Sequence, residues 1–208
     1  MIAYKFLERG AVGPFSRFAW PLPSPGAPGP WVEAREARGR RHGVYACLPG
    51  QLAWWIDEEL FRVELGGEIS VTPVQVVAGR ARLLEPVDAW TSGGAARFAA
   101  DCARRLAAAA AATARAAGLP GAADALERAD GLPALSAAAR AASGAAPDPV
   151  RIVLALAADG AALASAGHAS GAAYIAARAA RLIAGDAGFR AEREAQGRRL
   201  AAEVGAAA

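Results

Sequence analysis

Lysine is almost missing from this chain. Lys5 is its single lysine, and arginine supplies every other cation. Beside so much alanine and glycine, that bias reads as the mark of a GC-rich genome and carries no functional weight. Two cysteines, Cys47 and Cys102, exclude a disulfide framework, and each reads as a small buried hydrophobe. Histidine occurs twice, at His42 and His168, with no C-x-x-C or H-E-x-x-H spacing. Neither a metal nor a cofactor is therefore expected. The chain also lacks G-x-G-x-x-G, a Walker A loop and G-x-S-x-G, which argues against a dinucleotide enzyme, a P-loop NTPase and an α/β-hydrolase. No basic–apolar–small leader opens it, and the low-charge run Ile152–Ala177 holds Asp159 and His168 among alanine and glycine. A membrane span needs about 20 strongly apolar residues, so none is expected, and a reducing cytoplasmic location is the default. The net charge of +3 is not concentrated: the first ninety residues carry ten basic and ten acidic side chains. The densest basic patch, Arg35, Arg38, Arg40, Arg41 and His42, is mixed with Glu33 and Glu36 and gives no strong nucleic-acid signal.

What the chain does have is a step in composition near Trp90. All five tryptophans, and eleven of the fourteen aromatic residues, lie at or before it. Only Phe98, Tyr174 and Phe189 follow, in alanine-rich sequence. Large rings fill sheet-packed cores and binding surfaces, whereas alanine favours helices and lets them approach closely. The expected class is α+β. Residues 1–90 form a small aromatic, mixed β-rich module, and residues 91–208 an alanine-rich helical bundle.

Within the first part, Ile2–Leu7 alternates as a strand, with Ile2, Tyr4 and Phe6 set against Ala3 and Lys5. Gly10–Trp31 is too rich in proline for a helix or a central strand. Gly43–Cys47 predicts a short buried strand, and Pro49 the first position of a short helix through Trp54–Ile56. Leu60–Leu65 alternates most cleanly and should end at Gly66–Gly67. One or two more strands fit Val74–Val87. In the second part, a helix from Thr91–Ser92 to about Ala117 carries Phe98, Cys102 and Leu106 on one face. Shorter helices fit Gly121–Asp130 and Pro133–Ala142. Asp148–Pro149 should cap a helix through Val150–Ala166. The final pair, Gly171–Ala184 and Phe189–Val204, is separated at Gly185–Asp186, and Ile175, Ala179, Leu182 and Ile183 form the apolar stripe of the first.

The candidate binding residues are Trp20, Trp31, His42, Tyr45 and Trp54. The Trp20–Trp31 loop comes first, because long ordered loops are often functional and its rings would fold back as lids on the sheet. Asp57–Glu58–Glu59 beside Trp54–Trp55 is either a charged helix end or a source of a carboxyl whose pKa burial would raise toward general-acid range. Cys47 and His42, five apart on an extended strand, would face opposite ways and make a poor nucleophile–base pair. His168 reads as part of a helix connection.

Tyr4–Leu7, Gly13–Ser16, Trp20–Pro21, Gly43–Cys47 and Glu59–Leu65 together resemble a family of uncharacterised actinobacterial proteins. The likeness covers about the first ninety residues well and the helices loosely. Members often carry His where Tyr45 stands, and the family brings no assigned activity. A fainter likeness is to ADP-ribosyltransferase-like folds, through Gly43–Ala46 and Leu60–Gly66. It would imply NAD as ligand, Tyr45 stacked on nicotinamide, Arg9 in the early-strand position and Glu85 as the late acid. Two expectations follow. One is a non-enzymatic binding or accessory protein that recognises through the aromatic module, with a protein partner or a second copy meeting the helical part. The other is an ADP-ribosyltransferase-like or other small-ligand enzyme with a pocket near Tyr45.

Overall fold

Alternation starts the fold at once in this computed structural model, which describes residues 1–35 and 43–206. β1 (Ile2–Leu7) pairs antiparallel with β4 (Glu59–Val71), and β4 pairs with β5 (Val76–Pro86). The far edge of β5 takes two short strands, β2 (Val32–Glu33) opposite Arg80–Ala81 and β3 (Val44–Ala46) opposite Val76–Ala78. The sheet then curls back on itself. Tyr4 and Cys47 exchange N–H···O=C bonds of 2.8 Å, joining the end of β3 to β1. That pairing satisfies backbone groups that an open sheet would leave exposed at its edges.

The faces of β1 fall the other way from what ring size suggests. Ala3 and Leu7 belong to the sheet's core cluster, while Ile2 is 47% exposed. Phe6 is buried on the opposite face, edge-on to Trp90 at 5.4 Å. Lys5 shares the parity of Ala3 and Leu7, so the lone lysine stands on the core side of its strand. Phe61, Val63 and Leu65 of β4 and Ala78, Ala81 and Leu83 of β5 complete that core.

Gly66–Gly67 does not end the third strand of the sequence reading. β4 runs on to Val71, with a register shift between Gly66 and Ile69. Gly67 takes φ +74°, and a Cβ there would sit 3.3 Å from the Cα of Gly79 across the hairpin. The glycines make a bulge, not a stop, because a left-handed residue lets one strand carry an extra position. β2, at two residues, is too short for any periodicity to announce. Pro49–Trp54 forms a 3-10 helix whose Gln51 is buried. Gln51 accepts from the Leu48 N–H at 2.9 Å and donates to Thr72 O at 2.7 Å, tying the turn to the tip of the β4–β5 hairpin.

Helices follow: α1 (Ser92–Ala116), α2 (Pro120–Glu127), α3 (Gly131–Ala145), α4 (Val150–Ser165) and α5 (Ala169–Glu203). The molecule is α+β, an antiparallel sheet of five strands followed by helices. Phe98, Cys102 and Leu106 are buried on one face of α1. Gly185, at φ +63°, kinks α5 where the sequence places a break. Asp148 does not cap α4; Pro149 takes the cap position, and the Asp148 carboxylate accepts from Arg151 at 2.9 and 3.1 Å. The stripe of α5 is also different from the expected one. Leu182 and Ile183 are exposed, while Ala172, Ala173, Ala176 and Ala177 are buried. Small side chains win that face because they allow close approach: a Cβ on Gly160 of α4 would stand 3.1 Å from Leu106 and 3.4 Å from Ile175. The chain divides into two compact units, Met1–Thr91 with the segment from Gly197 onward, and Ser92–Gln196. No helix among the described residues is long and apolar enough to cross a membrane.

Candidate functional site

A cavity of about 580 Å³ opens in the sheet unit where β1, β3 and the turn after the 3-10 helix meet. β1 brings Tyr4, Lys5 and Phe6, and β3 brings Val44, Tyr45 and Ala46 with Cys47 after it. Trp54, Trp55, Ile56 and Asp57 form a second wall. Trp20 and Gly13–Ser16 supply the third, from the loop that follows β1. That loop doubles back tightly: Gly13 donates to Phe18 O at 2.8 Å and Trp20 to Ala11 O at 2.9 Å. A Cβ on Gly13 would lie 2.6 Å from Ser16 Oγ, so the serine side chain would have to turn aside.

The rings are held by specific contacts. Tyr45 and Trp55 stack with centroids 6.3 Å apart and planes 29° from parallel. Trp55 Nε1 donates to Val74 O at 2.7 Å, which leaves its faces free of that bond. Phe15, 83% exposed, meets Trp55 edge-on at the rim. Trp20 is buried and stands edge-on to Phe18 at 5.7 Å. Apolar walls with few polar groups suit a small ligand that is flat and largely apolar.

Lys5 is the main polar feature. Its Nζ donates to Tyr45 O at 2.6 Å and lies 5.0 Å from the centre of the Trp20 ring. Among the described residues it forms no ion pair with a carboxylate. Burial pushes its pKa down to about 8. Cys47 is buried, its Sγ donates to Tyr4 O at 3.3 Å, and burial lifts its thiol to about 12. A thiol so placed stays protonated at neutral pH and is no nucleophile. Asp57 is held above the ordinary carboxylate range by burial, with Glu8 and Glu58 adding repulsion against the opposing N–H of Glu58.

Of the five candidate residues, Trp20, Tyr45 and Trp54 line this cavity together. Trp31 does not; its ring lies under the guanidinium groups of Arg80 and Arg82, at 4.5 and 4.7 Å. His42 lies outside the described residues, as do Arg38, Arg40 and Arg41. The useful part of the long loop is Gly13–Trp20, and the proline run after Trp20 contributes no wall. Glu58 and Glu59 are occupied elsewhere: Glu58 accepts from Arg9 N at 2.7 Å, and Glu59 from the N–H groups of Gly10 and Ala11 at 3.1 and 2.9 Å. Asp57 alone of the three carboxylates lines the cavity. Of the residues that the ADP-ribosyltransferase likeness points to, Tyr45 is in the wall, whereas Arg9 pairs with Glu58 and Glu85 with Arg62.

Lys5 and Phe15 also line the cavity, and neither is among the five candidate residues. The signal for Lys5 was present, a single lysine on a strand beside alanine and leucine, but its solvent-side reading was the natural one. No group of three His, Cys, Asp or Glu side chains able to hold a metal occurs among the described residues. No protein-family model, curated protein or solved structure matches the chain.

Proposed function

We propose that the sheet unit is a binding module for a small, flat, largely apolar ligand held near Tyr45, and that the chain acts by recognition rather than by catalysis. The aromatic cavity of about 580 Å³ carries this reading. Its supports are geometric: stacked Tyr45 and Trp55, a buried Trp20, and a thiol kept inert by burial. The likeness to the actinobacterial family enters the same proposal. Four of the five segments that carry it, Tyr4–Leu7, Gly13–Ser16, Trp20–Pro21 and Gly43–Cys47, contribute residues to the cavity wall. Two free, buried cysteines suit a reducing, cytoplasmic setting.

Thermal shift with a panel of planar aromatic compounds tests the reading, because a ligand at 100 times its Kd adds about 2.7 kcal/mol to the folded state. A rise in Tm that Tyr45→Ala removes is expected. No rise with any compound would end the proposal. NAD belongs in the panel, since stabilisation by NAD alone would favour the ADP-ribosyltransferase-like alternative, in which Tyr45 stacks on nicotinamide. A second copy of the chain at the helical unit is part of the proposal through the exposed Tyr174, Leu182 and Ile183. Light scattering that returns the mass of one chain at high concentration would remove that part.

A further inference from the structure

An ammonium group taken out of water must recover its lost hydration from partners within the protein. Lys5 recovers only some of it. A lysine has three N–H donors, and Nζ spends one on Tyr45 O and turns toward the Trp20 face. The chain treats another partly buried cation differently. Arg105 of α1 donates to Asp101 at 2.9 Å and to Glu192 at 2.7 Å, so its charge is balanced by two carboxylates. Lys5 has no such partner among the described residues, and it lines a cavity that is open to a ligand.

We propose that the ligand of this cavity is a flat ring bearing an oxyanion, a carboxylate or a phosphate, and that Lys5 is its counter-ion. The inference rests on the binding reading above and names the ligand's chemistry. The ring meets the Tyr45–Trp55 wall, and the oxyanion takes the donors that Nζ has left. Cation and anion strengthen one another in a site that excludes water. The other ionisable side chains of the lining are Tyr4, Tyr45, Cys47 and Asp57. Cys47 stays a neutral thiol up to about pH 12, so it does not compete for Nζ as an anion. With its pKa near 8, Lys5 is mostly protonated at neutral pH and ready for an acid. Above that pH, binding the acid must first return a proton to the amine, and affinity falls by about tenfold per pH unit.

Three probes of one shape separate the possibilities: 2-naphthamide, 2-naphthoate and 2-naphthyl phosphate, each titrated against tryptophan fluorescence at pH 7 and pH 9. The expected result is at least tenfold tighter binding of one or both acids than of the amide at pH 7. That preference should shrink at pH 9 and vanish in Lys5→Met. Which acid binds better tells carboxylate from phosphate. Equal binding of amide and acids in the unaltered protein overturns the inference and leaves the binding module standing. A preference that persists in Lys5→Met, or that does not change with pH, also overturns it. If none of the three binds, the inference falls together with the reading beneath it. The pH comparison needs no variant, so it decides even if Lys5→Met folds poorly.

Discussion

Lys5 in the sheet unit and Arg105 in the helical unit are two partly buried cations that are balanced in opposite ways. In the helices, Arg105, Asp101, Glu192 and Gln196 form one connected set: Gln196, wholly buried, donates to Glu192 at 2.8 Å and to Ala173 O at 2.9 Å. The remaining interior is mostly alanine. A recess of about 500 Å³ near Leu119 and Ala142 is lined by small apolar residues and proline, with no ionisable group. In the sheet, large rings leave an open cavity, and the lysine in its wall has no carboxylate ion-pair partner among the described residues, although Asp57 lines the same cavity. Paired charge between helices fixes how they pack. Unpaired charge in a cavity is a cost that packing does not require, and such costs gather where ligands bind.

The contrast breaks most easily in the helices. Glu192→Ala strips Arg105 of one partner and leaves Gln196 with fewer bonds, so it should destabilise by about 3 kcal/mol in urea denaturation. A change below about 0.5 kcal/mol would mean that the set is ornamental. Next come two glycines that hold close approaches. A Cβ on Gly197 would lie 2.5 Å from Gly50 O, against rigid backbone, and Gly197→Ala should cost about 2 kcal/mol. Gly160→Val, crowding Leu106 and Ile175, should cost a similar amount, again about 2 kcal/mol, read as a fall in Tm.

Lys5→Met sharpens the comparison by reversing the sign. Replacing a desolvated, unpaired cation with an apolar chain of similar length should stabilise by about 1 kcal/mol at pH 7. Its pH dependence has a fixed direction. The folded-state pKa of Lys5, about 8, is below the ordinary 10.5, so between these values the unfolded chain binds more protons than the folded one. Lys5 therefore contributes a gain in stability as pH rises through that window. Urea titrations of the two proteins from pH 7 to pH 10.5 should show the advantage of Lys5→Met narrowing. Phe15→Ala is the smallest change: at an exposed rim position it should alter stability by less than about 0.5 kcal/mol while weakening any ring ligand. A larger loss of stability would make Phe15 part of the core.

The change from sheet to helices and the sheet's alternation were legible because both depend on local chemistry: ring size, period two and alanine's preference for helices. The helices were legible for the same reason, down to the kink at Gly185. What escaped depended on partners far along the chain. Ile2, Tyr4 and Phe6 look like the inner face of β1 until Trp90 is known to cover Phe6 from outside. Gly66–Gly67 looks like a stop until Gly79 is known to lie opposite. Leu182 and Ile183 look like core until alanine is seen to win the tight contact. Trp20, Tyr45 and Trp54 were recognised by ring type, yet Trp31 was grouped with them on the same ground and went to Arg80 and Arg82. Lys5 was passed over, since a lysine on a strand is normally a solvent-facing residue.

Because Lys5 is the only lysine, its charge can be read without interference. Protein labelled with ¹³C-lysine gives one side-chain Cε signal, and its shift against pH reports the pKa directly. The account predicts a midpoint near pH 8 that climbs when 2-naphthoate is bound. A midpoint at the ordinary 10.5, unmoved by the acid, would put Lys5 in water and contradict it.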